Sequence, residues 1–300
     1  MSAIRPCDSL YVSARSGEAA MACPARMQWE RDRGLRVLIV TLFDVGPERG
    51  EDLFLGLPGA LERDAGHEIW DFAPTEGEES WVADTAAILD DVFVRARPRH
   101  LYLPLGVGSF AERRVAHEAA RRTFQAAPGR DIFFYEERPD AFVSGSVQTR
   151  LAQLGARLPP AASRIPGEGG MLRFLLRSQT VPRLRYGVRG FGARLRSLRA
   201  AARQWSEAKA WRPQRAMGPR LQPLVHALPP RALEGLRGAI RATVAQSGFP
   251  ALADRLVGWS EDYARRLGQA GHAERYWLLL PNRDDEARAL LPDAEVSTIS

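Results

Sequence analysis

Two loops hold most of the side chains that could do chemistry in this 300-residue sequence. The first loop, Ser13 to Glu18, and the second, Gly106 to Arg113, each follow a short apolar run. A serine becomes a nucleophile when a base lies beside it, but the sequence places no histidine next to Ser13, Ser16 or Ser109. The two loops therefore offer polar groups without a recognisable nucleophile and base.

Cofactor and metal motifs are also incomplete. The turn Gly106-Val107-Gly108 lacks the third glycine and the later acid of a dinucleotide fingerprint. Cys7 and Cys23 are too few and too isolated for a disulfide framework or a cysteine zinc site, so we predict reduced thiols. No two of the five histidines form a close pair at ligand spacing, and we interpret them as surface or hydrogen-bonded residues: His67, His100, His117, His226 and His272. His117 lies two helical turns after Phe110 and would point near the second loop only if that helix tips inward.

The first loop lies inside a predicted β-α-β unit. Leu10 to Ser13 is a short apolar run, Ala19 to Arg33 can form a helix, and Leu35 to Phe43 is a continuous apolar run rich in β-branched residues. A run of the last kind is typical of a strand that is buried on both faces. In such units, functional groups collect where the first strand ends, which is at Ser13 to Glu18.

The same alternation continues to about residue 140. The pattern predicts three more strands, Glu68 to Phe72, Leu101 to Leu105 and Ile132 to Glu136. It also predicts two helices, Trp81 to Arg97 and Phe110 to Ala127. Strands that alternate with helices indicate a mostly parallel sheet covered on both faces.

We therefore predict an α/β fold, a Rossmann-like three-layer sandwich with Val37 to Thr41 in a central buried strand. Residues 1–150 should form its core. Residues 151–231 are interpreted as a Pro/Gly linker and a basic helical insertion, because prolines and glycines interrupt the pattern there. Residues 232–300 should supply C-terminal helices that complete the core domain.

The positive charge of the chain is local. The stretch from Met171 to Arg220 holds twelve arginines and Lys209 against a single acid, Glu207. It therefore carries +12 while the rest of the chain carries −6, which together give the net +6. Within it, an apolar stripe recurs at helical spacing, flanked by arginines: Phe191, Leu195, Leu198, Ala202 and Trp205.

Such a basic amphipathic helix has three possible roles. We favour packing of the stripe on the main domain. Peripheral membrane contact through residues 188–212 comes second. Nucleic acid comes last, because the stretch lacks exposed aromatic interleaving and a recognisable reading motif. Residues 1–10 contain no stretch long enough for a signal peptide, and no run approaches about 18 apolar residues, so we expect a cytoplasmic location.

Six fragments stand out by their order and spacing: Tyr11-Val12-Ser13, Arg36 to Phe43, Tyr102 to Gly108, Phe134 to Pro139, Ala245-Gln246-Ser247 and Glu274 to Trp277. Together they resemble the PIG-L/LmbE-like deacetylases. The resemblance covers roughly residues 8–150 and 235–278. It implies the fold predicted above and a zinc hydrolase that removes an acetyl group from an N-acetylglucosamine-type amine.

The chain departs from the family at the residues that would bind zinc. The family's first loop reads Ser-Pro-His-x-Asp-Asp, giving a histidine ligand, a base aspartate and a ligand aspartate, and these positions are Arg15, Gly17 and Glu18. The second loop of the family reads His-x-Asp-His, ending on the third ligand, and its positions are Phe110, Glu112 and Arg113. An arginine has no lone pair to donate, and Gly17 cannot take a proton from water. We therefore predict the fold without a zinc cofactor and without an assignable catalytic residue.

Two functions stay open at this point. One is a non-catalytic protein that binds a sugar-like molecule or a partner protein. The alternative is an active carbon–nitrogen hydrolase that deacetylates an N-acetylglucosamine-type amino sugar through a rearranged site. We favour the first, because a redesigned site should contain a new acid–base pair and the sequence shows none. The predicted degenerate pocket consists of Ser13, Arg15, Gly17, Glu18, Phe110, Glu112 and Arg113. We expect Arg15 and Arg113 to pair with Glu18 and Glu112 and to crosslink the two loops.

Overall fold

The computed structural model describes residues 4–44, 52–58, 76–108, 110–124, 129–143, 145–159, 199, 202–203, 205–206, 208–246 and 252–281. Seven strands form one sheet in the order β3-β2-β1-β4-β5-β7-β6. Their bounds are β1 Ser9–Ser13, β2 Val37–Thr41, β3 Asp52–Phe54, β4 His100–Pro104, β5 Asp131–Tyr135, β6 Arg220–Ala227 and β7 Ala273–Leu280. The first five strands are parallel, β7 runs antiparallel to β5, and β6 runs antiparallel to β7. The prediction of a mostly parallel α/β sheet is confirmed.

Helices cover both faces of this sheet. They are α1 Glu18–Ala22, α2 Pro24–Asp32, α3 Glu76–Ala96, α4 Ala111–Phe124, α5 Ser146–Gln153, α6 Pro230–Gln246 and α7 Leu252–Arg266, with a 3-10 turn at Asp140–Phe142. Because side chains alternate along a strand, Leu10 and Val12 join the larger hydrophobic core while Tyr11 joins a second core on the other face. The second core includes residues of α1 and α2, such as Ala22 and Met27. The result is a three-layer arrangement.

The predicted buried strand and the predicted first helix have different outcomes. Val37–Thr41 is β2, an interior strand paired with β1 on one side and β3 on the other, as predicted. The single helix expected from Ala19 to Arg33 is instead two helices that meet at Cys23. Pro24 occupies the first turn of α2, where its missing N–H is tolerated, but it could not continue α1.

The C-terminal half contributes two strands that the sequence did not predict. Residues 220–227, assigned to the linker and basic insertion, form the edge strand β6, and β7 lies in the range assigned to helices alone. Pro223 interrupts the pattern in the sequence, yet proline is tolerated in an edge strand because one side of the strand needs no ladder hydrogen bonds. The short strand β3 was also missed. The predicted strand Glu68 to Phe72 lies outside the described residues.

Part of the basic stripe is described. Trp205 packs, partly buried, against the main hydrophobic core, as does Trp211 in the loop that follows. Phe191, Leu195 and Leu198 lie outside the described residues. In the part of the chain that the structure describes, no helix is long and apolar enough to cross a bilayer.

Candidate functional site

Charged side chains converge at the carboxyl ends of the parallel strands. Arg15 follows β1, Asp44 lies beyond β2, Glu137 and Asp140 follow β5, and Arg113 lies in the first turn of α4, just after β4. Since the carboxyl ends of parallel strands meet at one edge, residues far apart in sequence come together there. Both loops singled out in the sequence belong to this cluster.

Arg15 forms the outer part of the cluster. Its Nε and Nη2 atoms each donate a hydrogen bond of 2.6 Å to one oxygen of Glu112, a paired geometry that links the first loop to α4. Its Nη1 donates to Asp44 at 3.3 Å, and the same carboxylate accepts a 2.6 Å bond from the backbone N–H of Ser16. The side chain of Arg15 is 29% exposed and that of Glu112 is 2% exposed, so this pair closes the cluster toward solvent.

Arg113 forms the inner part and is almost fully buried. Its Nε and Nη2 donate to Glu18 Oε1 at 3.0 and 2.9 Å. Its Nη1 donates to the carbonyl of Val107 at 2.9 Å and pairs with Asp140. Burial by itself would lower the pKa of this guanidinium, but Asp140 and Glu18 keep that pKa above the ordinary value. One cation therefore joins the loops after β1, β4 and β5.

Glu137 holds the glycine turn, Gly106-Val107-Gly108, in place through hydrogen bonds to its backbone. Its two oxygens accept the backbone N–H groups of Gly106 at 2.6 Å and Val107 at 3.0 Å. Burial raises the pKa of Glu137 to about 7, although Arg113 and the N–H of Val107 act in the opposite direction. A Cβ at Gly108, where φ is 102°, would lie 2.7 Å from Asp140 Oδ1, so only glycine fits there. The turn is shaped by contacts with the charged cluster.

The remaining predicted pocket residues have structural contacts. Ser13 Oγ donates to the carbonyl of Arg15 at 2.6 Å. Gly17 precedes α1 with φ 75°, in the left-handed region. Phe110 is buried, and the Arg113 guanidinium carbon lies 5.0 Å from the centre of its ring. These three residues therefore shape or support the loops.

The pairing expected between the two loops is present. Arg15 bonds Glu112 and Arg113 bonds Glu18, so each arginine crosses from one loop to the other. Sequence reasoning missed Asp44, Asp140 and Glu137. The only sequence signal for these three residues is their position, since each lies shortly after an apolar run that is typical of a strand.

His117 does not reach the cluster. Its Nδ1 lies 2.8 Å from the carbonyl of Pro104, and its ring packs against Phe134 in the main core. Burial and the charge of Arg150 lower the pKa of His117 to about 3, so the ring is neutral. His117 is therefore a core residue that supports α4 against β4.

The donor set at these positions does not fit a zinc ion. Zinc needs imidazole, thiolate or carboxylate donors, whereas Arg15 and Arg113 have no lone pair to offer. The neighbouring carboxylates of Glu18, Glu112 and Asp140 each bind one of these guanidinium groups instead. Over the described ranges, no group of three or more His, Cys, Asp or Glu residues is arranged to hold a metal.

The fold of this chain, an α/β sheet covered by helices on both faces, is similar to that of several solved deacetylases. A deacetylase from the teicoplanin biosynthesis pathway matches 92% of this chain and 99% of its own, with a TM-score of 0.57 at 11% sequence identity. The zinc-inhibited form of teicoplanin deacetylase Orf2 gives 0.55 at 12% identity, over 92% of this chain and 99% of that one. The A40926 pseudoaglycone deacetylase Dbv21 gives 0.53 at 11% identity, over 91% and 97%. No protein-family model matches the sequence, and the search of curated proteins gave no match.

Proposed function

We propose that this chain is a non-catalytic protein built on the deacetylase fold, which binds a sugar-like molecule or a partner protein and does not hydrolyse an amide. One observation carries the proposal: the buried Arg113 guanidinium binds Glu18, Asp140 and the Val107 carbonyl, at the place where a hydrolase would need a metal and a water. The carboxylates that could activate water are thereby engaged with cations.

The charge balance supports this reading. Carboxylates gathered in a buried site need a compensating positive charge, which a dication supplies in a metal enzyme. Arg15 and Arg113 bring two positive charges to the same loops and bind their carboxylates through directed hydrogen bonds. In this proposal the guanidinium groups take over the crosslinking role of the metal and leave no open position for substrate activation.

An active hydrolase with a rearranged site would need another base. Glu137 is a carboxylate of the cluster whose pKa is raised to about 7, a value that suits general base catalysis. It is completely buried, however, and both of its oxygens accept backbone N–H groups of the glycine turn. A carboxylate held in this way supports the turn and does not reach a substrate.

Zinc content and acetate release together test the proposal. Protein purified without chelator should contain far less than one zinc per chain, and neither added zinc nor a chelator should change its melting temperature. Incubation with N-acetylglucosamine derivatives should release no acetate above the rate of a blank. A zinc-dependent deacetylase that releases acetate from N-acetylglucosamine derivatives serves as the positive control for both assays. Stoichiometric zinc, or acetate release that Arg113→Ala abolishes, would overturn the non-catalytic reading.

A further inference from the structure

An arginine beside the glycine turn is largely buried without an ion-pair partner. Arg150 lies on α5 and is 9% exposed. Its Nε donates to the carbonyl of Leu105 at 2.9 Å, just after β4. The guanidinium packs against the turn, since a Cβ built on Gly106 would lie 3.0 Å from both its Nε and its Nη2 atom. Arg150 therefore borders the charged cluster but takes no part in the loop-crossing pairs of that cluster.

The terminal nitrogens of Arg150 lack an acceptor from the protein. In the part of the chain that the structure describes, Nη1 and Nη2 donate no hydrogen bond, and no carboxylate lies within ion-pair distance of the guanidinium. Neither atom is fully enclosed, so a molecule from solvent can reach both of them. A charge that is largely removed from water is unfavourable unless it is paired. The position therefore suits an anion that comes from outside the chain.

The carboxylates whose charges act on Arg150 are bound to other groups. They are Glu137 and Glu118. Both oxygens of Glu137 accept backbone N–H groups of the glycine turn. Glu118 binds the guanidinium groups of Arg121 and Arg122, which lie on the same helix. Each carboxylate is held in place by these contacts, and neither forms an ion pair with Arg150.

Arg114 on α4 adds a second positive charge to this region. Its Nη2 donates to Glu78 at 2.6 Å, but its buried Nε and Nη1 atoms have no hydrogen-bond partner among the described residues. Buried N–H groups are normally hydrogen-bonded, so these donors also lack an acceptor. Burial lowers the pKa of Arg150 to about 10, and the charge of Arg114 lowers it further while Glu137 acts in the opposite direction. The potential around Arg150 is therefore positive.

We propose that Arg150 binds the anionic group, a carboxylate or a phosphate, of a sugar-like ligand at the carboxyl ends of the strands. The planar guanidinium offers N–H groups that match the oxygens of such a group. This inference rests on the proposed function and deepens it, since it names an acidic sugar as the ligand class. The two fail in different ways. Bound zinc or acetate release contradicts the proposed function, whereas absence of anion binding contradicts this inference alone.

Titration calorimetry with inorganic phosphate and with glucuronate, at constant ionic strength in chloride buffer, tests the site and separates the two anionic groups. Glucose is the neutral control. We expect saturable binding of one phosphate or one glucuronate per chain and weaker binding of glucose. Arg150→Met keeps an unbranched side chain but removes the charge. It should weaken anion binding by about tenfold or more, because charge-assisted hydrogen bonds are lost.

Two further variants complete the test. Arg95→Met is the matched control, because Arg95 is an exposed arginine on α3 that pairs with Asp91, and it should bind like the wild type. Arg150→Lys keeps the charge without the planar fork, so its affinity should lie between those of the wild type and Arg150→Met. This variant keeps the test valid should Arg150→Met fold poorly. Absence of saturable binding of both anions to the wild type would overturn the proposal. Wild-type affinity in Arg150→Met, or glucose binding as tight as that of glucuronate without phosphate binding, would overturn it as well.

Discussion

Arg113 and Glu18 lie 95 residues apart in the chain, yet two nitrogens of the guanidinium donate to one oxygen of the carboxylate at 3.0 and 2.9 Å. Both side chains are 1% exposed. An ion pair removed from water to this extent stabilises the fold only while both partners are present, since either one alone is a buried uncompensated charge.

Arg113→Ala should therefore be strongly destabilising. We expect the free energy of unfolding to fall by about 3–5 kcal/mol, because Glu18 and Asp140 lose their shared cation. Denaturant unfolding at neutral pH measures the change. Arg122→Ala is the control on the same helix, since Arg122 pairs with the exposed Glu79, and its stability should match the wild type within error. Equal stabilities for the two variants would contradict this account.

The outer pair should show direct coupling. A double-mutant cycle with Arg15→Ala and Glu112→Ala isolates the paired hydrogen bonds of 2.6 Å from other losses. We expect a coupling free energy of about 1–3 kcal/mol, as for other contacting residues in one network. Arg15→Ala alone should cost less than Arg113→Ala, because Arg15 is 29% exposed and water can partly solvate Glu112 once the arginine is gone. Additive effects of the two substitutions would mean that the pair contributes no specific stabilisation.

Glu137 should make the protein less stable as the pH rises from about 4.5 to 7. Its pKa is raised from 4.5 to about 7, so in this window the folded chain keeps a proton that the unfolded chain has lost. The stability that this bound proton contributes is present in full below pH 4.5. It is lost as the pH rises to about 7, at about 1.4 kcal/mol per pH unit. The stability of Glu137→Gln relative to the wild type should therefore rise between pH 5 and 7 and level off by pH 8, as measured from urea unfolding curves at pH 5, 6, 7 and 8. Parallel stability curves for variant and wild type would contradict the raised pKa.

His117 should act in the opposite sense over a lower window. Its pKa is lowered from 6.5 to about 3, so as the pH falls below 6.5 the unfolded chain takes up a proton that the folded chain refuses. Stability contributed by the neutral ring is therefore lost toward acid, again at about 1.4 kcal/mol per pH unit. His117→Asn keeps a donor for the Pro104 carbonyl and should remove this slope. Between pH 4.5 and 6.5 the two residues offset each other in the wild type. Stability should therefore rise with pH in Glu137→Gln, where only His117 acts, and fall with pH in His117→Asn, where only Glu137 acts. If the stability of both variants changed with pH in the same direction, the opposite pKa shifts of Glu137 and His117 would be refuted.

The hydrophobic pattern of the sequence predicted the strands β1, β2, β4 and β5 and the helices α3 and α4. Val37–Thr41 was placed correctly because every residue of β2 is apolar or β-branched, a pattern that only a doubly covered strand tolerates. The edge strand β6 was missed because it carries Pro223 and alternates irregularly, and its pairing with β7 is a long-range contact that local sequence cannot report. For the candidate site, charge balance between the two loops predicted that Arg15 and Arg113 pair with the glutamates Glu18 and Glu112. It could not predict Asp140 or Glu137, since their part in the cluster depends on the position of β5 beside β4.

The basic stretch provides a last prediction. Trp205 packs against the main hydrophobic core and lies 5.1 Å from Lys209 Nζ in a cation–π contact, which favours packing over membrane contact through residues 188–212. Trp205→Ala should lower the free energy of unfolding by roughly 1–3 kcal/mol, less than for a fully buried aromatic residue. Trp29→Ala, at a tryptophan that is 41% exposed on α2, should change stability little. In co-sedimentation with anionic and neutral liposomes, the wild-type protein should stay in the supernatant with both. Pelleting with anionic liposomes that Trp205→Ala abolishes would show instead that the stretch binds membranes.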